Sequence, residues 1–173
     1  GIVMGGGLGV MAGCAHRVVT EKTRIAMPEV TIALFPDVGG SWFLNHMPGK
    51  TGQFLALTGA SINAADAIYT GLADRFISSE RKDSVIEQLQ QMPWSTNCDD
   101  NHARVRHTLR PFTEQSIGSC PGGQVEPHLG SINNLCDGDD IHEVIDNIIG
   151  QQTDDPWLSR ARDSLDHGSR LAA

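Results

Sequence analysis

Three short stretches hold residue types that can do chemistry on a carbonyl group. The first is the run Gly5-Gly6-Gly7, which follows an apolar opening and is itself followed by Gly9. The second is Glu29, set in the apolar context Ala26-Met27-Pro28-Glu29-Val30. The third is Asp37, eight residues later, in Leu34-Phe35-Pro36-Asp37-Val38-Gly39-Gly40-Ser41. A bare glycine turn at a helix start exposes backbone N–H groups, and such a group can donate to an oxygen that gains negative charge during acyl transfer. A carboxylate can activate water or attack a carbonyl directly. Donor, base and second acid are together the parts of an acyl-transfer site.

The glycines also admit two other readings. Gly7-Leu8-Gly9-Val10-Met11-Ala12 fits the dinucleotide pattern G-x-G-x-x-A, with Glu29 placed 22 residues beyond Gly7. Pro28 beside that acid is awkward in a central strand, and two strands rather than one fill the interval. The remaining reading is structural, with glycines letting a helix start pack closely on a sheet. A phosphate-binding P-loop is excluded, because no Gly-Lys-Ser/Thr follows.

The elements that must position these residues follow from pattern. Ile2–Met4 reads as the end of a strand, and residues 8–16 as a short helix. Residues 16–21 and 23–29 read as two strands with Glu21-Lys22 as the turn. Residues 34–41 form a loop by their Pro, Asp and Gly content. Residues 41–47 make a helical turn capped by Ser41, and residues 51–59 a helix stopped by Gly59. Asn63 followed by Asp66 forms a capping box that opens a further helix. Residues 72–77 read as a strand. Beyond it, Val85, Ile86, Leu89 and Met92 share one helical face. Residues 93–103 and 113–138 read as loop. Ile141, Val144, Ile145, Ile148 and Ile149 mark a strong amphipathic helix ended by Gly150. A last helix has Asp155 as its N-cap, Pro156 at its first position and Gly168 at its end. The pattern divides the chain near residue 80, with an α/β segment over 1–80 and a mainly helical region over 81–173.

Composition narrows the function classes. The 173 residues carry a formal net charge of −8. Residues 1–80 hold five basic and six acidic side chains, and residues 81–173 eight and fifteen, so the acidic excess lies in the second half. That balance argues against nucleic acid as a partner. Hydrophobic residues make up 39%, and no apolar run reaches the length of a membrane span, so no membrane partner is expected either. Cys14, Cys98, Cys120 and Cys136 form no C-x-x-C pair, and no metal site is expected from them or from the scattered histidines. Unpaired thiols point to a cytoplasmic protein.

The stretches GIVMGGGLGVMAG and RIAMPEVTIALFPDVGGSWFLNHMPGKTGQFLALTGASINAADAIYTGLAD, with the spacing between them, resemble the crotonase (enoyl-CoA hydratase/isomerase) superfamily. Within it they look most like the branch of 3-hydroxyisobutyryl-CoA hydrolases. The resemblance is clear over residues 1–80 and looser beyond. It implies part of a crotonase-like ββα spiral core followed by helices. It implies that Gly6 supplies an oxyanion-hole N–H for a thioester carbonyl, with Gly5 and Gly7 shaping the turn. Glu29 takes the place of the main catalytic carboxylate, and Asp37 that of its partner in the hydrolase branch. Hydratases of the family carry a further Glu two residues after the glycines, where this chain has Gly9. Thioester hydrolysis is therefore favoured, on a short branched or 3-hydroxy acyl-CoA of valine breakdown. Enoyl-CoA hydration or isomerisation, or a non-catalytic oligomeric or interaction module, are the alternatives. No cofactor is implied, since CoA belongs to the substrate. Family members extend on both sides of this chain, so the resemblance implies an internal piece lacking one oxyanion donor, with weak activity and a tendency to homo-oligomers.

Overall fold

Ile2, Val3 and Met4 form strand β1, whose residues pair in parallel with Arg24, Ile25 and Ala26 of β3 (Arg24–Ala26). Strand β2 (Val18–Val19) lies in a different sheet and pairs in parallel with β4 (Arg75–Phe76). This is a computed structural model, and it describes residues 1–168. The two strands read on either side of Glu21-Lys22 are present but shorter, and each joins a separate sheet. The turn is closed by the Thr23 N–H on the Thr20 carbonyl and by the Thr20 N–H on Thr23 Oγ1. Parallel pairing needs a crossover rather than a hairpin. Helix α1 (Gly6–Ala12) supplies part of it, beginning inside the glycine run rather than at residue 8.

One ion pair, Arg17–Asp74, fixes the second sheet. The Arg17 backbone N–H and Nε both donate to Asp74 Oδ2, at 2.7 and 3.2 Å, and the guanidinium also reaches Asp74 Oδ1 and the Gly71 carbonyl. The Arg17 side chain holds the Asp74 carboxyl below the usual carboxylate range. A depressed native pKa means that the unfolded chain binds more protons as acid is added. The stability Asp74 contributes is therefore full above its ordinary value of 3.8 and is lost as the pH falls through its native pKa. Asp74→Asn should give a Tm–pH curve that is flatter below about pH 5 than that of the parent, and thermal melts down to about pH 3 check this. Equal slopes for the two proteins would remove Arg17–Asp74 as a source of acid sensitivity.

Between the sheets run short helices. Pro28–Ile32 form a 3-10 turn that ends at Ala33. Helix α2 (Gly40–Leu44) is preceded by Gly39 as N-cap, not by Ser41. Gly39 takes a φ of +82°, which glycine adopts without penalty. Helix α3 (Thr51–Thr58) ends at Gly59, which is left-handed as the glycine stop requires. It crosses α2 so closely that a Cβ on Gly52 would lie 1.9 Å from the Leu44 carbonyl oxygen. Only glycine fits there. Helix α4 (Ala64–Tyr69) opens on the expected capping box of Asn63 and Asp66.

The second half is more helical than its composition suggested. Helix α5 (Lys82–Gln90) is followed by the 19-residue helix α6 (Cys98–Ser116), whose two ends fall in segments read as loop, and by α7 (Val125–Leu135), which lies wholly within one. The polar residues behind that reading are helix starts. Asn97 caps α6 by accepting the Asp100 N–H, and Asp99 and Asp100 sit in its first turn, where acids are favoured. Pro127 falls in the first turn of α7, where its missing N–H costs nothing. Val105, Leu109 and Phe112 then form the α6 stripe that packs with Ile77. Helices α8 (Ile141–Gly150) and α9 (Pro156–His167) match expectation, including Asp155 as N-cap and Pro156 at the first position.

The main core is one apolar cluster joining Leu8, Ile25, Met27 and Phe54 to Ile132, Val144, Ile148 and Trp157. Trp157 packs against Phe54 with the rings tilted by 43° and their centroids 5.6 Å apart, and donates its indole N–H to the Ser61 carbonyl. The α/β expectation is met, with four short parallel strands and nine α-helices among the described residues. No described helix is long and apolar enough to cross a membrane.

Candidate active site

Chain geometry after β1 builds a donor pair. The Gly5 N–H bonds to the Ala26 carbonyl at 3.2 Å, which ties the turn to β3. Gly5 has a φ of +48°, and its carbonyl accepts the Leu8 N–H, which starts α1. The buried Leu8 anchors the helix in the core. The N–H groups of Gly6 and Gly7 are in the first turn and have no intrahelical acceptor. Neither finds another acceptor among the described residues.

Glu29 faces this turn. Its side chain is only 8% exposed, on a 3-10 turn framed by the buried Met27 and Val30. A Cβ on Gly5 would lie 2.6 Å from Glu29 Oε1, so the carboxylate sits directly against bare backbone. Glu29 Oε2 is buried and has no hydrogen-bond partner among the described residues. Burying a carboxylate oxygen without a partner costs free energy, and groups left so are found where a ligand or reaction uses them.

Asp37 is placed differently. It is exposed, and its carboxylate makes no hydrogen bond or ion pair with any described residue. Its backbone carbonyl accepts the Gly40 N–H at 2.6 Å and so closes the turn into α2. The next residue, Val38, reaches the glycine turn: its Cγ1 lies 4.0 Å from where a Gly6 Cβ would be. Thus the structure brings Glu29 and Gly5 into contact, and it brings the loop of Asp37 onto Gly6 through Val38. Val38 carried no sequence signal of a site role beyond its place in the loop. Four large apolar residues of the same stretch, Ile32, Leu34, Phe35 and Trp42, are more than half exposed. An apolar run inside a Pro- and Gly-rich loop was the available signal for them.

Other clusters are chemically poorer. A cavity of about 450 Å³ is lined by Arg24, Asn63, Gln124, Trp157 and Arg160 and does not include Glu29. No group of three or more His, Cys, Asp or Glu that could hold a metal ion comes together among the described residues. All four cysteines are free thiols, and burial pushes Cys136 up to about 11, so it is protonated and inert at neutral pH.

A family profile described as Enoyl-CoA hydratase/isomerase matches residues 1–173, and the chain belongs to that family, the crotonases. Among curated proteins, it is 38% identical over 148 residues to the mitochondrial 3-hydroxyisobutyryl-CoA hydrolase of Homo sapiens, covering 86% of this chain and 37% of that protein. The corresponding Gallus gallus protein is 31% identical over 165 residues, covering 95% of this chain and 41% of its own length. The chain thus spans well under half the length of these relatives. Among solved structures, an enoyl-CoA hydratase from Rhodobacter sphaeroides superposes with a TM-score of 0.76 at 30% identity, over 99% of this chain and 44% of that one. A carnitinyl-CoA dehydratase from Mycobacterium thermoresistibile gives 0.78 at 32% identity, over 98% and 46%. The crotonase-like core followed by helices is therefore the observed fold. The dinucleotide reading of the glycines falls away. The cytoplasmic expectation is also overturned, because the curated relatives are mitochondrial proteins. Free thiols report a reducing environment without saying which one.

Proposed function

We propose that the chain carries the catalytic carboxylate and one oxyanion donor of an acyl-CoA thioester hydrolase of the 3-hydroxyisobutyryl-CoA type. The observation that supports this most is the buried, unpartnered carboxylate of Glu29 held against the Gly5 turn, next to the unengaged Gly6 and Gly7 N–H groups. In one route Glu29 takes a proton from water as the hydroxide adds to the thioester carbon. The carbonyl oxygen becomes an oxyanion held by the Gly6 N–H. Collapse expels the CoA thiolate, which takes up the proton. In the other, Glu29 itself attacks the carbonyl carbon and expels the CoA thiolate, and water then cleaves the resulting anhydride, restoring the Glu29 carboxylate, freeing the acid and supplying the thiolate's proton. Asp37 orients or tunes these steps from the loop. No metal or redox cofactor takes part, and CoA enters as part of the substrate. Like the curated relatives, the protein would work in mitochondria, on an intermediate of valine breakdown.

Enoyl-CoA hydration is the second reading, supported by the names of the structural neighbours. Against it stands the single buried acid at the glycine turn, since hydration needs one group for water and another for the Cα proton. The exposed apolar residues Ile32, Leu34, Phe35 and Trp42 favour a third reading, a self-associating module. The discriminating experiment is thiol release from 3-hydroxyisobutyryl-CoA beside hydration of a crotonyl thioester. Thiol release without hydration is expected. Hydration without release would replace the hydrolase reading, and neither, from a folded chain, would favour the non-catalytic one.

A further inference from the structure

Val38 stands out on three independent counts. It is one of two described non-glycine residues with positive φ, at +46°, and the other, Ala33 at +59°, lies in the same stretch after Glu29. A β-branched side chain in the left-handed region is crowded against its own backbone, so it stays there only where its surroundings dictate. Those surroundings are visible. Asp37 and Gly39 close the turn into α2 on one side. On the other, Val38 rests on the bare backbone of α1. A Cβ on Gly9 would come 2.7 Å from both Val38 Cβ and the Val38 carbonyl oxygen, and 2.8 Å from Cγ2. Finally, Val38 remains 44% exposed, so filling the core does not explain it. A strained residue that is not there for the core, set on the glycine turn that meets a buried acid through Gly5 and carries two unengaged donors, points to a role in the site.

We propose that Val38 is a positioning and specificity-determining residue. Its side chain and carbonyl occupy the space over Gly9, one helical turn from Gly5. They press the glycine turn into the shape that presents Gly6 and Gly7, and they leave no room there for a second proton-handling group. The site then supports attack at a carbonyl carbon and disfavours adding water across a carbon–carbon double bond, which needs that second group. This inference rests on the reading of Glu29 as the working acid. Val38 itself touches no reacting atom.

Two measurements on the whole chain test it. The first is a thermal double-mutant cycle with Gly9→Ala, Val38→Gly and the pair. Gly9→Ala should lower Tm by about 5 °C or more in the parent and by measurably less beside Val38→Gly, which removes the clashing Cβ and Cγ2 but leaves the position-38 carbonyl oxygen in place. Val38→Gly alone should change Tm little, because relief of the left-handed strain offsets lost contact. Additive shifts would overturn the packing argument. The second is the split between kcat and KM for thiol release. Val38→Gly should lower kcat about tenfold with KM within about twofold, and Val38→Gly combined with Gly9→Glu, which supplies the second group, should raise hydration of a crotonyl thioester relative to hydrolysis. Val38→Ile keeps the β-branch and should recover most of the rate. A loss confined to KM, or an equal loss in Val38→Ile, would overturn the proposal. If the parent releases no thiol, the hydrolase reading and the specificity role fall together. The cycle still judges the positioning contact by itself.

Discussion

Glu29→Gln should lower thiol release by roughly 10²- to 10⁴-fold, the range that loss of a general base commonly costs, and it should leave the fold intact. The two halves of this expectation have one cause. Glu29 is nearly buried, and one of its oxygens meets no donor among the described residues. Folding therefore carries a desolvation cost that nothing nearby offsets. An amide of the same size sits in the same place without that charge. Its melting temperature should equal or exceed the parent's, while activity falls. Such opposed signs are the mark of a group kept for function at the expense of stability. If activity and Tm fell together, Glu29 would be holding the structure and the loss would say nothing about chemistry. If the rate stayed within about threefold, another group would be activating water, since a general base contributes at least tenfold more than that. Thiol release and a thermal melt on the same preparation give both readings.

How much of this was legible in the sequence depended on whether a signal was local. Helices α8 and α9 were, because an apolar stripe and a cap residue with Pro at the first position are contained within one element. Gly59 was, because a glycine after a helix has one common use. Helices α6 and α7 were not. Their starts are rich in Asn, Asp, Gly and Pro, residues shared by loops and helix N-termini, and only burial of an apolar face, on Ile77 for α6 and in the main core through Val125 and Ile132 for α7, distinguishes the two. The pairing of β1 with β3 was also hidden, because strands of two or three residues in parallel register are set by what packs around them. For the site, Glu29 and the glycines could be named from their residue types. That Gly5 is bare because Glu29 Oε1 lies where its Cβ would be could not. Nor could the seat of Val38 over Gly9, which joins positions 29 residues apart.

The site depends on the framework behind it. Gly59, at the end of α3, packs against the backbone of Pro28 and Met27, immediately before Glu29. Helix α3 in turn packs on α7 and α9, so the second half of the chain backs the acid of the first. What joins α7 to the α4 region is chiefly one side chain, that of Asp66.

Asp66→Ala should therefore be the most destabilising of the polar substitutions considered, at about 3–5 kcal/mol, or a fall in Tm of roughly 10 °C. Asp66 is 1% exposed. Its Oδ2 accepts the Asn63 N–H at 3.1 Å, which is the local half of the capping box. Its Oδ1 accepts the Gln124 and Val125 N–H groups at 2.6 and 2.8 Å, almost sixty residues away. Those two donors open α7, where no intrahelical acceptor exists. Val125 is fully buried, so water cannot take over. Gly123 permits the approach, since a Cβ there would lie 2.9 Å from Asp66 Oδ1. Alanine at 66 would strand three donors, at about 1–1.5 kcal/mol each. Asn63→Ala is the comparison that separates the two roles. It removes the cap on α4 and the bond from Asn63 Nδ2 to the Gly122 carbonyl but leaves α7 held, and should cost about 1–2 kcal/mol. Denaturant unfolding of both variants decides the matter. Equal losses would make Asp66 a helix cap and no more. A loss at Asp66 two or more times that at Asn63 would make it the tie that holds the helical half onto the segment bearing Glu29.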